Sequence, residues 1–392
     1  MSLLENFTFH SPTKIIFGKG TEHLVGAETK EHASKILLHY GGGSIKRSGL
    51  YDRVVKSLEA AEVDFVELGG VQPNPRLSLV HEGIQLCRDE NVQFILAVGG
   101  GSVIDSSKAI ALGVPYKGDV WDFFEGKAEP QASLPIGVVL TIPAAGSEAS
   151  NSCVITKEEG WLKRGYSSQR NRPVFAIMNP ELTFTLPPNQ TANGAADIMA
   201  HVMERYFTNT PDVSFTDRLC EATLKTIIQH VPIALAEPAN YAARAEIMWA
   251  STIAHNDLLS TGRVGDWASH WIEHELSAIY DVPHGAGLAV VFPAWMKYVY
   301  QHDLNRFAQF AVGVWNVEQD FFDPEKTILE GIRRMEEFFQ SIGLPIRLDD
   351  LGIPDDRLEE MAEKCKKDPD GTLGNFVKLT TKDVLNILKL AK

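Results

Sequence analysis

The feature that most constrains the fold of this chain is a change of sequence pattern near residue 187. Before it, short apolar runs rich in β-branched residues alternate with stretches of helical periodicity, and after Leu186-Pro187-Pro188 the pattern is almost wholly helical. Strands that alternate with helices are typical of βαβ units, which build a mostly parallel sheet. The sequence therefore predicts an α/β domain over residues 1–187 and an all-α domain over residues 188–392.

Individual elements of the first half can be placed from these runs. Strands are predicted at residues 35–40, 63–68, 93–98, 134–141 and 174–178. Helices are predicted at residues 45–60, from the Pro73-Asn74-Pro75 turn to about residue 88, and at residues 102–112. The second half divides into helical stretches, one of which covers residues 267–280 and ends shortly before His284.

Charge and cysteine content restrict the partners and the compartment. The formal net charge is −14, whereas nucleic acid and anionic membranes both attract a positive surface, so neither is an expected partner. We find no apolar run of about 18 residues and no secretory signal pattern at the N-terminus. The four cysteines are scattered without a framework spacing, which predicts free buried thiols and a cytoplasmic location.

Two glycine loops follow predicted strands. Gly99-Gly100-Gly101-Ser102 closes one strand and opens a helix, and Gly41-Gly42-Gly43-Ser44 follows another. Glycines let the backbone approach a ligand closely, and the N–H groups of a helix N-terminus suit a pyrophosphate. The alternative for the loop of Gly99 to Ser102 is a tight structural turn at a strand–helix junction. Together they indicate a two-part ligand such as a dinucleotide, because ligands bind at the carboxyl edge of parallel sheets.

Histidines and one aspartate form the sharpest pattern of the helical half. Asp197 and His201 lie four residues apart on one helix face, as do His270 and His274, and His284 follows the second pair. One carboxylate with imidazoles suits a divalent metal such as Fe²⁺ or Zn²⁺. Each residue alone is more simply explained as a surface or core residue, and the spacing does not establish that the two segments meet.

Further motifs lie before, between and within these sites, namely residues 9–18, Pro73-Asn74-Pro75, Asp105 with Lys108, residues 141–148, Leu186-Pro187-Pro188 and residues 270–285. In order and spacing they resemble the iron-dependent (group III) alcohol dehydrogenases over nearly the whole chain. Within that family the Tyr40-Gly41-Gly42-Gly43-Ser44 loop is similar to that of the butanol dehydrogenases and broad-range aldehyde reductases.

The resemblance implies a fold, a reaction and a set of site residues. The fold would be a dinucleotide-binding α/β domain followed by an all-helical metal-binding domain, as in dehydroquinate synthase. The reaction would transfer hydride between NAD(P)(H) and a small alcohol or aldehyde. The implied metal ligands are Asp197, His201, His270 and His284. The implied cofactor contacts are Gly41, Gly42, Gly43, Ser44, Asn74, Gly99, Gly100, Gly101, Ser102, Asp105, Thr141 and Ser147.

His274 falls where the family has a histidine that is not a ligand and lies near the nicotinamide and the substrate. We expect the metal to act as a Lewis acid on the substrate oxygen and His274 to relay the proton. Its alternative role is to orient a metal ligand. Trp267, Trp271, Phe292 and Trp295 would line an apolar substrate pocket or, more simply, form ordinary helix-packing core.

Cofactor choice is predicted from the loop after the first long strand. Family members strict for NAD tend to carry aspartate where this chain has Gly42, and Ser44, Lys46 and Arg47 lie close by in sequence. A small residue beside hydrogen-bond donors and cations would admit a 2′-phosphate, which predicts NADP(H) in preference to NAD(H). The alternative is that both cations belong to a solvated helix surface.

Rival functions share parts of this pattern. Glycerol dehydrogenases and dehydroquinate synthases have the same architecture, but a synthase would need a basic pocket, and no Lys/Arg cluster lies near residues 270–284 in sequence. A metallohydrolase would not need two glycine loops, and a sensor would bring a partner-binding module. The segment Phe9 to Phe17 could pair edge to edge, which predicts a homodimer.

Overall fold

A computed structural model describes residues 4–392 of the chain and divides them into two compact units. The α/β unit comprises residues 10–186 and 237–256, and the helical unit comprises residues 4–9, 187–236 and 257–392. The predicted fold class, a parallel α/β domain followed by a helical domain, is confirmed.

The elements of the α/β unit up to residue 186 alternate as the sequence predicts. In chain order they are β1 (Lys14–Phe17), α1 (Val25–Lys30), β2 (Lys35–Gly41), α2 (Ser44–Arg47), α3 (Leu50–Ala60), β3 (Asp64–Val71), α4 (Leu77–Asp89), β4 (Phe94–Gly99), α5 (Gly101–Gly113), α6 (Trp121–Phe124), β5 (Ile136–Leu140), β6 (Ser152–Lys157), β7 (Leu162–Ser167) and β8 (Phe175–Met178).

The main sheet of the described chain is parallel throughout, in the order β1-β8-β5-β4-β2-β3. Its central strands β4, β5 and β8 are buried along their whole length because helices cover both faces. Strands β2 and β4 are direct neighbours, and Tyr40 pairs with Val98. Both glycine loops therefore leave the same edge of the sheet from adjacent strands.

Two local features of this unit were not predicted. The helix expected at residues 45–60 is divided into α2 and α3 by Gly49, whose φ of 71° is left-handed and ends the first turn. Residues 152–167 form an antiparallel hairpin, β6–β7, outside the main sheet. Its turn contains Gly160 and Trp161, both with positive φ, which matches the twist of a tight hairpin.

The remaining helices occupy the second half of the chain. They are α7 (Pro188–Tyr206), α8 (Ser214–Ala236), α9 (Tyr241–His255), α10 (Ala268–Tyr280), α11 (His284–Val299), α12 (Leu304–Trp315), α13 (Pro324–Ser341), α14 (Leu358–Lys364) and α15 (Thr381–Leu390). Helix α7 packs against α8 and α11, and α11 packs against α10. The contacts of α11 with α7 and α10 bring residues from these three helices together in the interior of the helical unit.

The units differ from the predicted division at 187/188 in two segments. Helix α9 belongs to the α/β unit, because Met248 packs into the core beneath the sheet and the ring of Trp249 lies edge-on to Phe17. Residues 4–9 belong to the helical unit, where the N–H of Glu5 donates to the carbonyl of Gly262 at 3.1 Å. Sequence periodicity carries no information on such long-range packing.

Two predictions from composition can be compared with the structure. Cys87, Cys153, Cys220 and Cys365 are all buried free thiols, as predicted. Over residues 4–392, no helix combines the length and the apolar character that crossing a bilayer requires.

A buried histidine in β2 makes the stability of the fold sensitive to pH. Nδ1 of His39 donates to the carbonyl of Leu68 at 2.8 Å, and Nε2 accepts from the hydroxyl of Ser106 at 2.9 Å. Burial lowers the pKa of His39 from 6.5 to about 4. Between these two pH values the unfolded chain binds a proton that the folded chain does not bind.

We therefore expect the free energy of unfolding to fall by up to about 3 kcal/mol from this residue as the pH drops from 6.5 to 4. Well above pH 6.5 the residue contributes no slope, because His39 is then neutral in both the folded and the unfolded chain. Urea unfolding of the wild type and of His39→Asn at several pH values measures the difference. Parallel pH profiles for the two proteins would show that His39 is not responsible.

Candidate functional site

Helices α7, α10 and α11 bring the four predicted metal ligands together within the helical unit. One nitrogen or oxygen atom from each of Asp197, His201 and His270 lies within 4.8 Å of the others. His284 completes the group, because its Nε2 lies 3.9 Å from Oδ1 of Asp197 and its ring centre lies 5.4 Å from that of His270. The structure thus joins the two segments that spacing alone left apart.

His284 is the first residue of α11 rather than a residue at the end of α10. Helix α10 ends in a left-handed Asp281, and Pro283 precedes the start of α11. Gly285 follows, and a Cβ at this position would lie 1.9 Å from the carbonyl oxygen of Asn193 in α7. Close approach of α11 to α7 therefore requires glycine here, and it carries His284 to Asp197.

Two buried glutamates fix the orientation of the imidazoles. Oε1 of Glu204 accepts from Nδ1 of His270 at 2.7 Å, and Glu273 accepts from Nδ1 of His284. In His201, Nδ1 donates to the backbone carbonyl of Asp197 at 3.0 Å. Each imidazole that donates from Nδ1 keeps its lone pair on Nε2, which is the arrangement seen in metal-bound histidines.

Neither glutamate was singled out in the sequence, although a signal was present. Glu204 follows His201 by three residues, and Glu273 follows His270 by three, so each lies one helical turn from a histidine of the cluster. Charged side chains are almost never fully buried without a partner. A search for carboxylates one turn from each histidine would have identified both.

The electrostatics of the cluster suit a divalent cation. Burial raises the pKa of Asp197, but the imidazoles of His201, His284 and His270 outweigh it and lower that pKa below its ordinary value. Burial lowers the pKa of His270 well below 6.5, which keeps the imidazole neutral. Nε2 of His270 is buried and accepts no hydrogen bond within residues 4–392. The buried Oδ1 of Asp197 faces Nδ1 of His201 at 3.1 Å and Nε2 of His284 at 3.9 Å. A cation would satisfy both Nε2 of His270 and Oδ1 of Asp197.

The orienting role of Glu204 leads to a measurable expectation. In Glu204→Gln one side-chain oxygen becomes an amide NH₂ that must face either the two N–H donors of His270 or the backbone N–H of Trp267. We expect the affinity for Zn²⁺ to fall about 10- to 100-fold, as measured by competition with a chelating dye. The control is Glu221→Gln, which changes a carboxylate that accepts from Tyr206 outside the cluster. Equal affinities for both variants would contradict the orienting role.

His274 lies beside the cluster. It is buried, and its ring centre lies 5.6 Å from that of His284 and 5.1 Å from that of Trp271. Glu273, His274 and His284 also offer atoms within 4.8 Å of one another. This position is compatible with both predicted roles, proton relay and ligand orientation, and both stay predictions.

The four aromatic residues considered for a substrate pocket separate into two pairs. The ring of Trp267 lies 5.2 Å from that of His270, and Trp271 contacts His274, so both lie beside the histidines. Phe292 and Trp295 instead pack against Phe207 in an aromatic core. For this second pair the simpler alternative, ordinary core, describes the structure.

In the α/β unit, the loop after β4 comes close to other backbone and side-chain atoms. A Cβ would lie 2.5 Å from Val103 at Gly99, 3.0 Å from Ile142 at Gly100 and 3.2 Å from Ala145 at Gly101. Helix α5 begins at Gly101, and its N-cap residue, Gly100, carries no side chain that could cap the first N–H groups. Thr141 lies at the same edge, since its N–H donates to the carbonyl of Gly99 at 3.0 Å.

The second loop, after β2, is more open. Gly42 is exposed, and a Cβ there would meet nothing within 4 Å among the described residues, while Gly43 has a φ of 96°. Ser44 is exposed at the start of α2, and Ser102 is half-buried at the start of α5. Asn74, with a φ of 52°, is buried. The structure thus leaves room for a ligand beside the predicted loop of Gly41 to Ser44.

Asp105 and Ser147, both predicted cofactor contacts, belong to a buried hydrogen-bond network around Lys108. The hydroxyl of Ser147 donates to Oδ1 of Asp105 at 2.6 Å, and the N–H of Val154 donates to Oδ2 at 2.9 Å. Nζ of Lys108 lies 2.7 Å from the carbonyl of Ser147 and 2.9 Å from its hydroxyl oxygen. In the structure these residues connect α5 to residues 147–154. Their role as cofactor contacts stays a prediction.

Two family models match the chain. "Iron-containing alcohol dehydrogenase" matches residues 12–180, and "Fe-containing alcohol dehydrogenase family, C-terminal" matches residues 191–392. Together they cover both predicted functional sites.

Known proteins of similar sequence and structure agree with these matches. A probable NADH-dependent butanol dehydrogenase of Bacillus subtilis is 46% identical over 98% of this chain and 99% of its own length. An NADPH-dependent aldehyde reductase of Escherichia coli is 37% identical over 93% of this chain and 94% of its own. The crystal structure of an NADH-dependent butanol dehydrogenase A from Thermotoga maritima superposes with a TM-score of 0.95, at 43% identity, over 100% of both chains.

Proposed function

Because this chain belongs to the iron-containing alcohol dehydrogenase family, in which it is an NAD(P)(H)-dependent alcohol dehydrogenase or aldehyde reductase, we propose that it acts on small primary alcohols and aldehydes such as butanol and butanal. The observation that carries the proposal is the buried cluster of Asp197 with His201, His270 and His284 in a chain whose relatives are named butanol dehydrogenases. A glycerol dehydrogenase- or dehydroquinate synthase-like activity, the alternative, is not favoured by those relatives.

We propose that Fe²⁺, or Zn²⁺ in its place, is held by Asp197, His201, His270 and His284. When bound, such a metal supplies Lewis acidity toward the substrate oxygen. Glu204 and Glu273 hold the imidazoles of His270 and His284 through Nδ1, so that their lone pairs face the cation. The carboxylate of Asp197 reduces the net charge of a divalent ion with its four ligands to +1, which lowers the cost of burying them.

The protein's other part in the reaction is to move a proton and to hold the dinucleotide, whose nicotinamide supplies the hydride chemistry. We propose that an imidazole nitrogen of His274 exchanges a proton with the substrate hydroxyl. The N–H groups at the start of α5 and the loop of Gly99 to Ser102 would bind the pyrophosphate. Asn74, Asp105, Thr141 and Ser147 complete the proposed cofactor contacts.

We further propose that NADP(H) is preferred over NAD(H). Support comes from the open space at Gly42 and from the cations of Lys46 and Arg47, which follow in α2. The names of the relatives do not support this preference evenly, since four relatives of 42–46% identity are called NADH-dependent, whereas the Escherichia coli protein, at 37% identity, is called NADPH-dependent.

Steady-state reduction of butanal with each reduced cofactor tests the function and the preference together. We expect turnover with butanal and a higher kcat/KM for NADPH than for NADH. A higher value for NADH would remove the proposed preference. Turnover of glycerol or dihydroxyacetone in place of butanal would replace the proposed substrate class by the polyol alternative.

A homodimer remains part of the proposal. Strand β1 lies at the edge of the sheet, and Phe17 and Trp249 beside it are partly exposed. An edge strand with exposed aromatic side chains favours pairing with a second copy. Light scattering on the purified protein in solution should give twice the chain mass of 43.3 kDa. A single-chain mass at micromolar concentration would contradict the dimer.

A further inference from the structure

A carboxylate in β3 lies within a cluster of polar side chains beside the loop of Gly41 to Ser44. The hydroxyls of Tyr40 and Tyr51 both donate to Glu67, the first at 2.7 Å, and Nζ of Lys46 lies 3.7 Å from the same carboxylate. Nζ of Lys46 also lies 5.0 Å from the ring centre of Tyr40 and 4.6 Å from that of Tyr51. We call these four residues the Glu67 cluster.

The Glu67 cluster is built onto the loop itself. Tyr40 directly precedes Gly41, and Lys46 lies in α2, which begins directly after Gly43. The ring of Tyr40 lies over Gly69, where a Cβ would lie 2.7 Å from the ring. Tyr40 is thereby held in place, and its hydroxyl stays at Glu67. The carboxylate is fixed rather than free to swing away into solvent.

The cluster carries both signs of charge. Burial raises the pKa of Glu67, but the hydroxyls of Tyr51 and Tyr40 and the charge of Lys46 outweigh it, so that the net pKa is lowered and the carboxylate is ionised at neutral pH. The hydrogen bond with Tyr40 raises the pKa of Lys46, which stays a cation. The positive charge of Lys46 is therefore paired with the negative charge of Glu67, whose side chain is 35% exposed to solvent.

We propose that Glu67 is a specificity-determining residue, whose carboxylate offsets the charge of Lys46 and weakens the binding of a ribose 2′-phosphate at this loop. The inference rests on the proposed function, in which the loop binds the adenosine ribose. If so, glycine at position 42 and two nearby cations do not by themselves fix the choice of cofactor. The enzyme would accept NADH beside NADPH because Glu67 reduces the advantage of the phosphate.

The test uses adenine nucleotides without nicotinamide, so that it does not depend on metal or turnover. Calorimetry on the full chain measures the affinities for 2′,5′-ADP and 5′-AMP. In Glu67→Gln we expect the affinity for 2′,5′-ADP to rise about three- to tenfold, since one unit charge within a Debye length of the phosphate is removed. The affinity for 5′-AMP should stay within about twofold, and the gain should shrink at high salt.

Glu90→Gln is the matched control. Glu90 forms an ion pair with Lys35, the first residue of β2, at 2.7 Å and is similarly exposed, but it lies at the opposite end of that strand. Both variants change the net charge of the protein equally, but only Glu67 lies beside the loop of Gly41 to Ser44. Only Glu67→Gln should therefore alter the ratio of the affinities for 2′,5′-ADP and 5′-AMP. Lys46→Met, which keeps an apolar stem against the tyrosine rings, should lower the affinity for 2′,5′-ADP about three- to tenfold.

The outcomes separate this inference from the proposed cofactor preference. A wild type that binds 5′-AMP more tightly than 2′,5′-ADP would contradict the NADP(H) preference, yet a rise in Glu67→Gln would still support the role of Glu67. An unchanged or lowered affinity for 2′,5′-ADP in Glu67→Gln overturns the inference, as does an equal rise in Glu90→Gln. Binding of neither nucleotide by the wild type overturns the inference and the proposed site together.

Discussion

Replacement of His270 by alanine should lower both metal content and butanal turnover, the latter by about 10³-fold or more, because one of four proposed ligands is lost and Lewis-acid stabilisation is worth several kcal/mol. The change also leaves the buried carboxylate of Glu204 without its imidazole partner. Metal content by elemental analysis and turnover of the metal-loaded protein measure the two effects. Full metal content and normal turnover in His270→Ala would show that His270 is not a metal ligand.

Asp197→Asn separates loss of the metal from loss of the fold. The amide keeps the shape of the carboxylate but removes its charge, so we expect the secondary structure to persist while the metal is lost. His230→Ala is the control, since His230 lies in α8 outside the cluster and should retain metal and turnover. If His230→Ala reduced turnover as strongly as His270→Ala, a general loss of stability would explain both.

Replacement of Lys108 by methionine should destabilise the α/β unit by about 3–5 kcal/mol, because it breaks a buried, fully hydrogen-bonded charge site. Lys108 is 0% exposed, and its Nζ donates to backbone carbonyls of Ser147, Ser150 and Ser152 at 2.7–3.1 Å. Methionine fills the same volume without a donor, which leaves these carbonyls and the carboxylate of Asp105 uncompensated.

Thermal unfolding measured by circular dichroism should show the melting temperature of Lys108→Met lowered by roughly 6–20 °C. Lys35→Met is the control in the same unit, because Lys35 is partly exposed and its ion pair with Glu90 is worth at most about 1 kcal/mol. A melting temperature for Lys108→Met within the range of this control would contradict the structural role of the lysine.

The alternation of apolar runs and helical stretches predicted the parallel sheet well, because strand and helix periods are local properties of the sequence. The β6–β7 hairpin was missed although Val154 to Thr156 are all β-branched and Gly160 marks a turn. Placement of α9 in the α/β unit could not be predicted, because it depends on contacts such as the one between Trp249 and Phe17, far apart in sequence.

The candidate site, like the fold, could be predicted where it depends on residues close in sequence and not where it depends on long-range packing. The i,i+4 pairs identified Asp197, His201, His270 and His274, and His284 follows the second pair. The meeting of these side chains, however, depends on the packing of α11 on α7 at Gly285. The role of Glu204 and Glu273 can be recognised only when the positions of the imidazoles they hold are known. At the loop, sequence showed Lys46 beside Gly42, and the fold adds Glu67 from the neighbouring strand, which changes the charge that a phosphate would meet.

The most direct test of the metal-dependent reductase is anaerobic reconstitution of the stripped protein with Fe²⁺ or Zn²⁺, followed by oxidation of NADPH and NADH with butanal. We expect the stripped protein to be inactive and either metal, most effectively Fe²⁺, to restore activity in the wild type but not in His270→Ala. Equal activity with and without metal, or no turnover of any short aldehyde by the metal-loaded protein, would contradict the account.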